Sequence, residues 1–326
     1  MPASLVLRRR TLIAAASLAA AIRPAQAQAQ AWPTRNVRFI VPFAPGGPVE
    51  VPARFLAERL GRSLGQTVLV ETRPGAGGAL GIRAVLQAGD GHSLLFTTSS
   101  VAILPALKRD PGYDPFTDLI PVTLISEAPM ALLAKPDWPV RDLAELIARA
   151  KAEPGKFSFA SSGAGSTTHL AGELLKVRAG IDLLHVPYRG VGQAVNALYA
   201  GDTDLLVTGL IEAIPHVREG RLRAIAVTSG QRSPALPDVP AIAESVPGYD
   251  MAIWYALLAP KGTPPEVVEL LARELAPHRT GNALAERMEA SGVTLMLDGP
   301  APLAERMRKE VPQWKEVVAS SGITPD

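Results

Sequence analysis

Hydroxyls and glycines carry most of the chemistry this sequence offers. The stretch from Phe157 to Leu175 reads FSFASSGAGSTTHLAGELL. A short strand-like run leads into a Ser/Gly loop, and the loop into an amphipathic helix whose first turn holds Ser166, Thr167 and Thr168. Glycine lets a backbone come close to a bound group, and free N–H groups at a helix start favour an anion. The arrangement recurs near the front of the chain, where Val37 to Pro42 runs into Phe43-Ala44-Pro45-Gly46-Gly47 and then into a helical pattern. Two such loops without catalytic machinery between them suggest a cleft between two lobes. Each loop alone has a plainer reading: Ser161 and Ser162 also suit turn and cap positions, and Gly-rich turns often only connect elements.

These loops need strands and helices to hold them. Strand patterns cover Val37–Val41, Val68–Glu71, Ser93–Thr97, Phe157–Ala160, Leu183–Val186, Asp204–Val207 and Leu222–Val227. Helical patterns cover Ala53–Leu64, Ala79–Ala88, Val140–Ala152, Thr168–Ala179, Gly192–Ala200, Pro265–Pro277, Asn282–Ser291 and Pro302–Ser320. Alternation of this kind predicts an α/β protein with parallel-rich sheets flanked by helices. Ligands in such sheets sit beyond the carboxyl ends of the strands, where both Gly-rich loops fall. The chain from Lys261 onward is nearly all helix and should pack on the first lobe, making that lobe discontinuous. The expected lobes are residues 32–129 with 255–326, and 130–254. Crossovers near Ser126–Ala134 and Gly248–Leu258 would form a hinge. The run Pro74-Gly75-Ala76-Gly77-Gly78 reads as a structural turn feeding the helix at Ala79.

Enzymatic readings find little support. No Gly-x-Ser-x-Gly elbow is present, and a Ser–His arrangement using His169 or His185 has no supporting spacing. Gly75-x-Gly77 lacks the third glycine of a dinucleotide fingerprint, because Leu80 stands there. The histidines (His92, His169, His185, His216, His278) are scattered without ligand spacing, and the chain has no cysteine. No catalytic residue, metal or cofactor is expected.

The N-terminus sets the compartment. Arg8-Arg9-Arg10 precedes an apolar run from Leu12 to Ile22, and Ala-Gln repeats follow from Ala25. That is a leader over residues 1–27, too short in its apolar part to span a bilayer. Arg9-Arg10-Thr11-Leu12-Ile13 fits the twin-arginine pattern, which predicts export to the periplasm by that route. Lys and Arg total 33 against 31 Asp and Glu; Arg8, Arg9, Arg10 and Arg23 leave with the leader, so the mature chain carries a net charge near −2. Nothing in that balance points to nucleic acid.

Read together, VRFIVPFAPGG, ETRPGAGGALG, ASSGAGSTTHLAGELL, HVPYRG, GDTDLL, PHVREGRLRAIAVT, RSPALPDVPAIAE, PGYD and WYALLAPKGTP stand in one order from Trp32 to Ile323. In that series the chain resembles the Bug family, the substrate-binding receptors of tripartite tricarboxylate transporters. The resemblance implies a two-lobed periplasmic binding-protein fold, type II-like, with a hinge between the lobes. It implies a monomeric receptor that captures a small carboxylated or polar organic molecule for a large and a small membrane subunit. A membrane sensor as the partner, with the receptor signalling its ligand, is the alternative; an exported α/β enzyme is a remote one.

Carried over by motif, the resemblance implies a ligand set. The first lobe would contribute Phe43, Ala44, Pro45, Gly46 and Gly47, with Thr97, Thr98 and Ser99 after the third strand. The second would contribute Ser161, Ser162, Gly165, Ser166 and Thr167, with His169 on the first helical turn. Pro187 and Tyr188 would end the strand that brings His185 nearby, with Tyr188 closing over an apolar stem. His169 reads equally as a buried helix residue, and Arg189 as a solvated strand-end arginine. The family often has three glycines and Thr-Asp where this chain has Gly46-Gly47-Pro48-Val49-Glu50, and an acid where Thr208 stands. Pro48 and Pro52 lack N–H groups, so the expected pocket takes a less anionic molecule, or one held mainly by the second lobe.

Overall fold

The run VRFIV forms the first strand, β1 (Val37–Val41), because all its side chains but Arg38 are apolar and buried. The computed structural model describes residues 32–43, 45, 49–188, 190–290 and 292–323. The leader read over residues 1–27 therefore lies outside the described residues, as do Ala44, Gly46, Gly47, Pro48 and Arg189. Contacts knit the chain from Arg35 onward into one compact unit.

After β1 come α1 (Glu50–Leu64), β2 (Val68–Thr72), α2 (Ala79–Ala88), β3 (Ser93–Thr98), α3 (Ser100–Leu107) and the long β4 (Leu119–Ala134). Next are α4 (Leu143–Ala152), β5 (Ser158–Ser161), α5 (Thr167–Ala179), β6 (Leu184–Pro187), α6 (Val191–Ala200), β7 (Leu205–Gly209), α7 (Leu210–Arg218) and β8 (Arg223–Val227). The chain returns through β9 (Ala252–Pro260), α8 (Pro265–Leu275), α9 (Ala283–Ala290), β10 (Thr294–Leu295) and α10 (Pro300–Ser320).

β1 pairs in parallel with β2 and β3, and β3 pairs antiparallel with β9. β5 pairs in parallel with β6 and β7. β4 joins the two groups. It lies antiparallel to β9 from Leu119 to Pro129, then antiparallel to β7 from Met130 to Ala134 and to β8 from Ala131 to Ala134. The stretches read as crossovers near Ser126–Ala134 and Gly248–Leu258 are thus largely paired strand, with Glu127 opposite Trp254 and Pro129 opposite Ala252. The helical tail also supplies a short strand, β10, on the free edge of β4 at Ser126 and Glu127.

Helices cover the sheets by apolar stripes. On α1, Ala53, Leu56, Ala57 and Leu60 are buried at helical spacing, and Gly65 ends the helix in the left-handed region at φ 66°. Each buried leucine there contributes about 1.5–3 kcal/mol. Phe39 and Phe96 meet at 5.7 Å between β1 and β3. The C-terminal α10 packs on α3 and β4 and buries Trp314 beside Trp254. Glu310 lies between them, accepting from Trp254 Nε1 at 2.8 Å and from Trp314 Nε1 at 3.4 Å. Burial pushes the Glu310 carboxyl above its ordinary range, against the pull of Arg306. Among the described residues no helix is long and apolar enough to cross a membrane.

Candidate functional site

The Ser/Gly loop after β5 is held by its own hydroxyls. Ser166 caps α5: its Oγ accepts from His169 N at 3.2 Å and donates to Gly163 O at 2.6 Å. Ser162 N donates to Thr168 Oγ1 at 3.0 Å, and the Ser162 and Thr168 hydroxyls lie 2.9 Å apart. Gly165, at φ 73°, turns the chain where a side chain would be strained, and its N–H donates to His169 Nδ1 at 3.0 Å. Leu170 N bonds Ser166 O and His169 N bonds the cap, which leaves the Thr167 and Thr168 amides at the helix start without an intrahelical acceptor.

Those groups open onto a cleft of about 670 Å³. Ser162, Gly165, Ser166, Thr167 and Thr168 form part of one wall, and Phe43, Thr98 and Ser100 part of the other. Thr98 Oγ1 donates to Ser100 Oγ at 3.1 Å and accepts from Ser100 N, which fixes both at the start of α3. Ile103, Leu104 and Leu107 of α3, with Val191 and Ile253, make the lining largely apolar. A concave, mostly apolar site with a few convergent polar groups suits a small organic ligand.

Of the residues read from the sequence, the structure brings Phe43, Thr98, Ser162, Gly165, Ser166 and Thr167 together on this lining. Thr97, Ser99, Ser161, His169 and Thr208 lie beneath it, all buried. The hydroxyls of Thr97, Ser99 and Thr208 have no hydrogen-bond partner among the described residues. Pro45 is exposed in a turn, Pro187 is exposed at the end of β6, and Tyr188 packs half-buried on the apolar cluster of the second sheet group.

The histidines behave as framework. His169 and His185 stack at 3.7 Å, and Phe159 lies 4.9 Å from His185. Burial first, and the neighbouring His169 second, hold His185 down at about 4. Glu173 faces His169 Nε2 at 3.6 Å; burial raises its carboxyl, but His169 and Lys176 outweigh that and leave it below the ordinary range. Ser161 Oγ lies 2.7 Å from His185 Nε2, so the fold does form a Ser–His contact that spacing did not suggest. Ser161 is 0% exposed, which keeps that hydroxyl from any substrate.

Several lining residues escaped sequence reasoning. Ala76 and Gly77, in the glycine run read as a structural turn, border the cleft. Lys108 follows α3, and Glu212 sits in the first turn of α7 beside Gly209. The phenol of Tyr255 on β9 is pushed up to about 12, by burial first and then by the charge of Glu212. Pro105 and Pro215 lie inside the helices that end at Lys108 and carry Glu212, so their pattern did not register as helical.

Known proteins share both sequence and fold with this chain. The family profile for the tripartite tricarboxylate transporter family receptor matches residues 52–323. Protein BugT of Bordetella pertussis is 37% identical over 314 residues, covering 95% of this chain and 95% of its own. The solved structure of R. palustris Rpa4515 with adipate has 33% identity and a TM-score of 0.73, over 90% of this chain and 100% of its own. MatC (Rpa3494) from Rhodopseudomonas palustris with bound malate has 32% identity and a TM-score of 0.71, over 88% and 100%. The chain therefore belongs to the tripartite tricarboxylate transporter family of receptors, and it is a two-lobed solute-binding protein and not an enzyme.

Proposed function

We propose that this receptor works in the periplasm and holds a small carboxylate in the cleft, chiefly through the loop from Ser162 to Thr168. The observation that carries this reading is the preformed start of α5. Side-chain bonds already fix the loop, and Thr167 and Thr168, whose amides have no intrahelical acceptor, stand on the lining. A carboxylate there meets N–H groups that need no rearrangement, which limits the entropic cost of binding. The structures of related proteins with adipate and malate support a carboxylate as the ligand class.

Residues 32–129 with 255–326 would form one lobe and residues 130–254 the other. The change of β4 partners between Pro129 and Met130 supports a bend there. Closing the lobes over ligand would create the surface read by a large and a small membrane subunit, with the receptor acting as a monomer. The leader over residues 1–27 would direct export by the twin-arginine route. A thermal-shift screen against mono-, di- and amino-carboxylates tests the ligand class, because a ligand that binds only the folded state raises Tm. A saturable rise with at least one carboxylate is expected; shifts only with uncharged solutes would overturn the reading.

A further inference from the structure

We propose that Glu212 makes this cleft selective for small carboxylates that also carry an ammonium group, over dicarboxylates and plain alkanoates. The inference rests on the carboxylate-receptor reading above. Glu212 is an exposed residue of the cleft lining, in the first turn of α7. Its carboxylate has no hydrogen bond or ion pair among the described residues. Of the other acids in a first helical turn, Glu50 pairs with Arg54 and Glu145 with Arg141 and Arg149, whereas Glu266 and Glu286 are not on the cleft lining.

The local backbone makes room for this acid. A Cβ at Gly209 would collide with Glu212 Oε2, so the carboxylate rests where only glycine leaves space. Its charge is felt at Tyr255 on β9, in the sheet group that carries the opposite wall. Among the described residues the only other charged group on the lining is Lys108. One acid and one base leave the cleft close to neutral, unlike a site built for two carboxylates. A carboxylate at the start of α5 and a hydrocarbon body along Ile103, Leu107 and Val191 leave Glu212 to meet the remaining functional group. An ammonium there gains a charge-assisted hydrogen bond as closure removes water. A second carboxylate meets like charge, and a methyl group strands the acid without a partner.

The bland role for Glu212 is a first-turn acid that complements the helix dipole. Calorimetric titration separates the two. The probes are 2-aminopentanoate and 5-aminopentanoate against pentanoate and pentanedioate, one chain length with and without ammonium or a second carboxylate. The expected result is that one ammonium-bearing probe binds the receptor at least about tenfold tighter than pentanoate and pentanedioate. Glu212→Gln should abolish that preference and improve pentanedioate binding. Gly209→Ala, which displaces the carboxylate without removing it, should reduce the preference as well. Pentanoate or pentanedioate binding as tightly as the amino probes, or an unchanged ranking in Glu212→Gln, would overturn the selectivity and leave the receptor reading standing. Binding of none of the four would overturn this inference and leave the receptor reading to the thermal-shift screen.

Discussion

Acidification should destabilise this receptor well above the range in which its surface carboxylates titrate, and His185 is the reason. Its ring stacks on His169 at 3.7 Å and lies 4.9 Å from Phe159, and its Nε2 is hydrogen-bonded to Ser161 Oγ at 2.7 Å. Burial and the nearby His169, with a smaller push from Lys176, hold its pKa at about 4 against an ordinary 6.5; Glu173 opposes them. The unfolded chain takes up a proton below 6.5 that the native ring refuses until about 4. Stability from His185 is therefore full above 6.5 and drains away as pH falls, until the native ring also charges near 4. At 1.36 kcal/mol per pKa unit, the loss on going from neutral pH to about 4.5 is at most about 2.5 kcal/mol, and solvent screening of this half-buried ring lowers it. Asp90 and Glu145, each held at about 2, add their losses only at lower pH. Urea denaturation across this range, on the native sequence and on His185→Gln, measures the term by difference. Gln can still hydrogen-bond Ser161, so the variant should lose some ring packing at neutral pH but show a flatter acid limb. Parallel stability curves would refute the claim that the half-buried His185 is held in its neutral form.

Three further perturbations probe the frame around the site. Gly172→Ala should cost about 1–3 kcal/mol, because its Cβ would run into the fully buried Phe159 ring; denaturant midpoints check this. Glu310→Ala should cost about 1–3 kcal/mol by leaving two indole N–H groups without their acceptor while Arg306 keeps Glu127, whereas Glu310→Gln should cost less in the same assay. Ser166→Ala should lower stability by about 1 kcal/mol through loss of the α5 cap, seen as a fall in Tm without ligand.

Sequence patterns exposed the parts of this molecule governed by local rules. β1 and α2 stand where VRFIV and ALGIRAVLQA predicted them, since apolar periodicity there agrees with the tertiary packing. The loop from Ser161 to Thr167 was legible because a serine cap and glycines mark a strand-to-helix turn by chemistry alone. Prolines concealed the rest. Pro121 and Pro129 lie within β4, which bulges and changes partners, and Pro105 and Pro215 lie within α3 and α7. With α3 and α7 unrecognised, nothing directed attention to Lys108 or Glu212. The depth of individual side chains was hidden for another reason. Thr97 and Thr98 are neighbours on one strand, yet strand alternation sends Thr97 into the core and leaves Thr98 on the cleft.

The central claim is that the loop opening α5 holds the ligand carboxylate. Calorimetric titration of the native receptor and of Ser162→Ala with Ser166→Ala, well below either melting temperature, addresses it most directly. The account predicts weaker binding by about 1–3 kcal/mol in the double variant for the carboxylate that shifts Tm most, as each lost hydroxyl removes a hydrogen bond or loosens the amides of Thr167 and Thr168. Equal affinity for that carboxylate in both proteins would contradict the account and place the binding groups elsewhere on the cleft.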